Sequence, residues 1–435
     1  MSSVLIGSLG LGAILFLLAL RVPIAITLIT VSLAGIYMIV GERAAIGSLK
    51  TIPYEFVAHW SLSAIPMFLL MGAIAFNAGI VSSIYNAARL WLAGLPGGLA
   101  IASNFACAGF AAASGSSVAT SSAMGRIAVP EMLKFGYNKG LATGVVAAAG
   151  TLGSLIPPSI LMVLYGTFAE TSISKLMIAG IIPGILTAGI YAVMIATRCK
   201  ISPELAPPVD FKPTWGERFA SLKDVWPMPL LILGVIGGLY SGLVTATEAG
   251  ALGAFLSIVI AAGYRRLTWA VFLQSLKDTL YGTGVIFFVS IGAVLLSRFI
   301  ALSGIPFAMV DFAEAYGLQG YGIVLFCGFV FLLLGMFLDP IGLLLIALPV
   351  FLPMIEASGF DLIWFGILVI KFVEIGLITP PVGLSVYTIK GVVGDTVPLG
   401  TIFKGILWFL ACELLVVVLL VGFPQISMFL PNLMN

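Results

Sequence analysis

The chain has 435 residues, 61% of them hydrophobic and 9% charged, with a formal net charge of +2. Soluble domains carry roughly 25% charged residues, so a water-facing globule is excluded and a bilayer is the solvent for most of the chain. No basic run suits nucleic acid, and four dispersed cysteines (Cys107, Cys199, Cys327, Cys412) with one histidine, His59, supply neither a disulfide framework nor a metal cluster.

The apolar runs are roughly 17–25 residues long and lack dyad alternation, which predicts spanning helices rather than a barrel. Val4–Leu20 has no positive start and no A-x-A-like cleavage site, so it reads as a first membrane helix rather than a signal peptide. Within it, Gly7-Ser8-Leu9-Gly10-Leu11-Gly12 reads as helix packing, not as a dinucleotide fingerprint. A second span, about 22–40, follows the turn at Arg21-Val22-Pro23, and a polar stretch occupies about 41–63. After a span at about 64–80, Ile80–Leu92 mixes Tyr85, Asn86 and Arg89 with apolar residues and reads as an interfacial amphipathic helix. His59 reads as an ordinary loop residue.

The segment at about 97–139 is made of small residues, with Ala113-Ser114-Gly115-Ser116-Ser117-Val118-Ala119-Thr120 at its middle. A Ser/Gly run is poor spanning helix and predicts a re-entrant hairpin whose tip is buried in protein. Next, about 140–168 is interrupted at Gly153-Ser154-Leu155-Ile156-Pro157-Pro158, where two prolines remove backbone donors. A span at about 175–197 ends a first half, 1–197. The stretch 198–224, with four prolines and nine charged residues, reads as a cytoplasmic linker.

The second half, 225–435, repeats the order. Spans at about 225–242 and 246–263, an amphipathic stretch, a span at about 281–300 and the amphipathic Pro306–Tyr316 lead to a hairpin at about 318–357. That hairpin turns at Gly335-Met336-Phe337-Leu338-Asp339-Pro340. A helix at about 361–390 breaks at Gly376-Leu377-Ile378-Thr379-Pro380-Pro381, and a last span covers about 400–423. Ser116 and Pro157 are 41 residues apart, as are Asp339 and Pro380, and the proline pairs lie 223 apart. With the Arg21 turn placed inside, fifteen Lys and Arg fall on the cytoplasmic side and three, Arg43, Lys50 and Lys175, outside. Both termini then lie in the periplasm, the halves have opposite orientation, and the hairpins enter from opposite faces. Interrupted helices at matching positions of inverted halves point to a midplane transport site.

The breaks suggest the chemistry. The hydroxyls of Ser114, Ser116 and Thr379, with carbonyls near Gly153 and Gly376, are hard oxygen ligands suited to an alkali cation, and freed helix N-termini attract a carboxylate. A carboxylate is costly to desolvate, so a cation beside it helps. No Walker A sequence is present for ATP to drive transport. Asp339, at the second tip, is an expected ion ligand. Lys371 and Glu374, three apart, are read as a structural pair. Arg298, near a span end, is expected to snorkel, and Glu413 shows no partner.

Three stretches make the chain familiar. They are Ala113–Thr120, then Pro130-Glu131-Met132 with Gly136-Tyr137, and Gly153–Ser159. With Thr247-Glu248-Ala249-Gly250-Ala251 and Gly376–Gly383, they resemble the TRAP transporter large membrane subunit of the ion transporter superfamily, over essentially the whole chain. The resemblance implies an all-α polytopic protein of the bacterial inner membrane with inverted repeats, two re-entrant hairpins and two broken helices, working as an elevator. It implies sodium coupling, a small four-helix membrane subunit, and a periplasmic binding protein delivering an organic acid such as a C4-dicarboxylate or sialic acid. It implies one sodium site at Ser114, Ser116, Gly153, Ile156 and Pro158. By the repeat a second lies at Gly335, Asp339, Gly376, Thr379 and Pro381, where Phe337 and Asp339 replace the serines. Substrate is then expected near Ser116, Ser117, Thr120, Pro158 and Thr379, with hairpins and broken helices mobile and the outer helices static. The alternatives are a stand-alone sodium/carboxylate symporter, a channel, a non-transporting scaffold and a membrane enzyme. No selectivity filter is seen for a channel, and the polar breaks cost stability in a scaffold unless they bind something. One histidine leaves few means for enzymatic chemistry.

Overall fold

The computed structural model describes residues 2–207, 213–315 and 320–434. Pro208 and Lys212 of the linker, Tyr316, and residues 318 and 319 of the expected second hairpin lie outside the described residues. Those described form 22 α-helices with short 3-10 turns and no strand.

In the first half, α1 (Ser3–Ala19) and α2 (Ile24–Val40) are joined through Pro23, and α3 (Glu42–Val57) lies within the polar stretch. α4 (Ala64–Asn77) and the amphipathic α5 (Ile80–Leu92) follow. α6 (Gly98–Ser114) and α7 (Ser117–Lys134) are the arms of the first hairpin. α8 (Lys139–Gly150), a 3-10 turn (Thr151–Ser154) and α9 (Ile160–Phe168) make the first broken helix. The span expected at 175–197 is found as Ile173–Ile201, built of α10 (Ile173–Ala179) followed directly by α11 (Ile181–Ile201).

The linker holds α12 (Trp215–Val225), started by a reciprocal Thr214–Glu217 capping box. Trp91 of α5 packs edge-on against Trp215 and Phe219 and donates its indole N–H to the Arg218 carbonyl at 3.1 Å. The linker is therefore clamped to α5. α13 (Pro227–Tyr240) and α14 (Ala246–Gly263) come next. The amphipathic stretch and span expected separately near 264–300 are one helix, α15 (Trp269–Ser303, 35 residues). No proline or cap intervenes, and at 1.5 Å per residue it is about 52 Å long, beyond the roughly 30 Å hydrocarbon core. α16 (Ile305–Ala315) precedes the second hairpin, α17 (Tyr321–Gly335) and α18 (Pro340–Ala357). α19 (Leu362–Ile378) and α20 (Leu384–Val393) form the second broken helix. α21 (Leu399–Gly422) is the last long span, and the short α22 (Gln425–Asn432) had no sequence expectation.

Every residue of α8 from Gly140 and of α19 from Ile363 is buried, so these helices form the centre. α7 and α21 pack on α8, and α17, α18 and α21 on α19. Around this centre lies a second group in which α15 packs on α2 and α4, and α4 on α14. The two broken helices run antiparallel. Tyr165, near the end of α9, donates to the Leu362 carbonyl at 2.7 Å, while Lys139, at the start of α8, donates to the Thr396 carbonyl just beyond α20 at 3.0 Å. Gly7 and Gly10 of α1 face Ser303 and Phe299 of α15, in keeping with helix packing. Six described helical spans are long and apolar enough to cross a membrane, or seven counting the bent α12–α13 pair. The protein is a multi-pass all-α membrane protein.

Candidate functional site

The first tip forms because α6 ends at Ser114 and Gly115 takes φ +61°, a left-handed conformation that favours glycine. Ser116 then turns extended, and its hydroxyl accepts the Ala119 amide at 3.4 Å as the N-cap of α7. The tip is fastened on both sides of the break in the first broken helix. On one side the Gly115 carbonyl accepts the Ile160 amide at 3.2 Å. On the other, Ser117 donates to the Thr151 carbonyl at 2.9 Å and meets the Ser154 hydroxyl at 2.5 Å. Gly153 sits so close that a β-carbon there would lie 2.7 Å from the Ser116 carbonyl carbon and oxygen.

The break itself leaves carbonyls unmatched. Pro157 and Pro158 have no N–H, so the carbonyls of Gly153 and Ser154 lose their i+4 donors. Pro380 and Pro381 do the same to Gly376 and Leu377, with the Gly376 carbonyl accepting the Thr379 amide at 3.2 Å instead. Both Pro-Pro bonds are cis. At the second tip Gly335 meets Gly376, where a β-carbon would lie 2.7 Å from the Gly335 Cα. Asp339 is the N-cap of α18, its Oδ2 accepting the amides of Ile341 and Gly342 at 3.1 and 3.0 Å, which leaves Oδ1 for another partner. The Thr379 hydroxyl donates to the Ile375 carbonyl at 2.6 Å and keeps its lone pairs.

The structure thus gathers Ser114, Ser116 and Gly153 at one tip, with Ile156 and Pro158 on the break beside it. Gly335, Gly376, Asp339, Thr379 and Pro381 belong to the other tip and break. The two breaks differ in surroundings, since Pro157 and Pro158 are buried and Pro380 and Pro381 are exposed. A cavity of about 310 Å³ runs along the first hairpin. Ser114, Ser116, Ser122 and Arg126 line one wall, and Phe76 of α4 with Asp278 of α15 the other. Ser117, Thr120 and Pro158, expected at the substrate, lie buried behind that wall. The Thr120 hydroxyl bonds Ser114 Oγ and the Ser116 carbonyl, each at 2.8 Å, so it braces the tip. Thr379 does not line this cavity.

Sequence reasoning missed a buried charge network. Lys371 donates to Glu374 Oε2 at 2.9 Å and to Glu413 Oε1 at 3.0 Å, and Tyr191 donates to Glu413 Oε1. The three charged side chains are fully buried. The i,i+3 spacing signalled the Lys371–Glu374 pair, but nothing in sequence signalled Glu413, on α21, as its third member. Arg298 is exposed, and His59 precedes a 3-10 turn. All four cysteines are free and buried.

Comparison with known proteins adds the relationships. Residues 11–426 match the family described as "Tripartite ATP-independent periplasmic transporter, DctM component". The chain is 36% identical to the C4-dicarboxylate TRAP transporter large permease protein DctM of Pseudomonas aeruginosa, over 89% of this chain and 90% of that one. It is 31% identical to the sialic acid large permease SiaM of Vibrio cholerae, over 96% of each chain. It is 33% identical to the ectoine large permease TeaC of Halomonas elongata, over 96% of this chain and 97% of the other. Among solved structures, the fold resembles the YdaH transporter of Alcanivorax borkumensis, with a TM-score of 0.62 at 15% identity over 90% of each chain.

Proposed function

The chain belongs to the DctM-component family of tripartite ATP-independent periplasmic transporters, and on that premise we propose that it is the translocating subunit of a sodium-coupled importer of organic acids. The protein sits in the bacterial inner membrane with both termini periplasmic. A periplasmic binding protein delivers the acid, and a small four-helix membrane subunit completes the assembly. The two halves act as inverted repeats, and the hairpins and broken helices move as an elevator against the outer helices.

One observation carries the reading most directly: each hairpin tip abuts a glycine at the break of a broken helix, Ser116 on Gly153 and Gly335 on Gly376. Carbonyl oxygens deprived of donors by proline gather there with hydroxyls, a hard-oxygen set that suits sodium. Helix C-termini point partial negative charge at a cation, and the N-terminus of α7 offers partial positive charge to a carboxylate. An ion at the first tip neutralises part of the acid's charge, so the pair crosses at lower cost than the bare anion.

The test is reconstitution with candidate binding proteins and the small subunit, followed by uptake of labelled succinate, N-acetylneuraminate and ectoine. An inward sodium gradient should drive uptake, and Ser116→Ala or Thr379→Ala should weaken the sodium dependence while the protein still inserts. Unchanged sodium activation in both variants refutes the sites. Uptake without any binding protein favours the stand-alone symporter instead.

A further inference from the structure

The cavity beside the first hairpin continues well past the tip, and its far end carries opposite charges on facing walls. Ser116, Ala119, Ser122, Ala123 and Arg126 line it from α7. Their spacing puts them on one face of the helix, and Arg126 lies ten residues beyond Ser116, about 15 Å along the axis. By the charge bias this is the cytoplasmic direction. Arg126 is exposed and joins none of the ion pairs among the described residues, which involve Arg89, Lys371 and Lys390. Across the cavity, Asp278 belongs to α15, in the outer group of helices. Its Oδ2 accepts from Asn77 at 3.0 Å and its Oδ1 from Gln274 at 2.7 Å, so the carboxylate is tethered to its own wall.

We propose that Arg126 is a binding residue for the substrate's carboxylate on the cytoplasmic side, with Asp278 opposite it limiting how long the anion stays. The proposal rests on the organic-acid importer reading and adds an exit station to it. The hydroxyl-lined wall between Ser116 and Arg126 gives a leaving acid polar contacts along the way. At its end a guanidinium without a protein carboxylate accepts the anion in the fork geometry that arginine favours. The fixed negative charge on the static wall repels the same anion, so release follows arrival. A cation alone would hold the product and slow return of the transporter.

The experiment is trans-inhibition in proteoliposomes holding the complete assembly, with binding protein outside and increasing unlabelled acid (whichever of succinate, N-acetylneuraminate or ectoine the wild type imports) inside. Internal acid inhibits import by rebinding the inward-facing state. Arg126→Gln should raise the internal concentration that halves uptake about tenfold, the loss of one charge-assisted contact, and Arg126→Lys should recover part of it. Asp278→Asn, which keeps the side-chain shape, should lower that concentration about threefold. The external half-saturating concentration should stay within about twofold in all three, which also reports a folded protein. If the wild type imports and is trans-inhibited while Arg126→Gln is inhibited at the same internal concentration, the inference is overturned alone. If internal and external values rise together, Arg126 is not a sided exit station. If the wild-type assembly imports none of the acids, the importer reading fails and this inference with it.

Discussion

Replacing Gly153 with alanine tests the contact on which the ion sites depend. The added β-carbon would lie 2.7 Å from the Ser116 carbonyl carbon and oxygen and 2.9 Å from the Ser117 nitrogen. Ordinary contact begins at 3.4 Å, so the tip must retreat by about 0.7 Å. The retreat works against two fastenings, Gly115 carbonyl to Ile160 amide and Ser117 hydroxyl to Thr151 carbonyl. Overpacking of this kind costs about 1–3 kcal/mol. The effect on sodium is sharper, because metal–oxygen distances tolerate only about 0.2 Å. Losing one charge–dipole ligand, worth about 1.5–3 kcal/mol, raises the sodium concentration for half-maximal uptake about 10- to 100-fold. The assay is sodium-dependent uptake by the reconstituted assembly, with thermal stability measured with and without sodium. Gly12→Ala, where nothing lies within 4 Å of the new β-carbon, is the control. A folded Gly153→Ala protein with half-activation within twofold of wild type refutes the idea that the tip–break contact builds the ion site.

Three further outcomes follow from other parts of the molecule. Asp339→Asn keeps a side-chain oxygen for the α18 cap but removes the charge, so helix stability should hold while sodium affinity falls; sodium affinity unchanged in Asp339→Asn, with loss only in Asp339→Ala, would assign Asp339 to capping alone. Lys371→Met leaves the carboxylates of Glu374 and Glu413 buried without their cation and should destabilise the protein by about 3–5 kcal/mol, read as a fall in melting temperature in detergent. The triple change Lys371→Met, Glu374→Gln and Glu413→Gln should recover most of that loss, and a single variant as stable as wild type would contradict the network. In the linker, Glu217's carboxyl is held below the ordinary glutamate range by the backbone N–H and hydroxyl of Thr214. Its stabilisation is present above that range and disappears as pH falls through the lowered value, so amide protection at the start of α12 should drop on acidification and be pH-insensitive in Glu217→Gln, which has no carboxyl to titrate.

The architecture was legible in the sequence where backbone chemistry is decisive. The Ser/Gly run at 114–117 and the two proline pairs cannot continue a helix, and the structure ends α6, the 3-10 turn after α8, and α19 there. What misled was charge. Lys277 and Asp278 fall in the stretch expected as an amphipathic segment separate from the span at about 281–300, yet α15 runs through both because nothing removes a backbone hydrogen bond. The expected substrate residues show a similar limit: Ser117 and Thr120 have the right chemistry, but their hydroxyls are spent on Thr151, Ser154, Ser114 and Ser116, which only packing reveals. Glu413 lies 42 residues from Lys371 on another helix, a pairing no local spacing encodes.

The two tips occupy matching positions but are not electrically equivalent. Ser116 caps α7 with a neutral hydroxyl, whereas Asp339 caps α18 with a carboxylate. A neutral cap leaves the positive end of α7 available to an incoming anion, and a charged cap cancels the end of α18 and repels one. Within the proposed cycle, the acid therefore belongs against the first hairpin, whose tip opens on the described cavity, while Asp339 Oδ1 serves the second cation. Introducing the opposite caps tests this directly. Ser116→Asp keeps a capping oxygen but should suppress binding of the acid, raising the external half-saturating concentration at least about tenfold, since an opposed charge replaces an attractive helix end. Asp339→Ser should leave acid affinity near wild type and lower sodium affinity. If the two changes act alike on acid and on sodium, the division of labour between the hairpins is wrong.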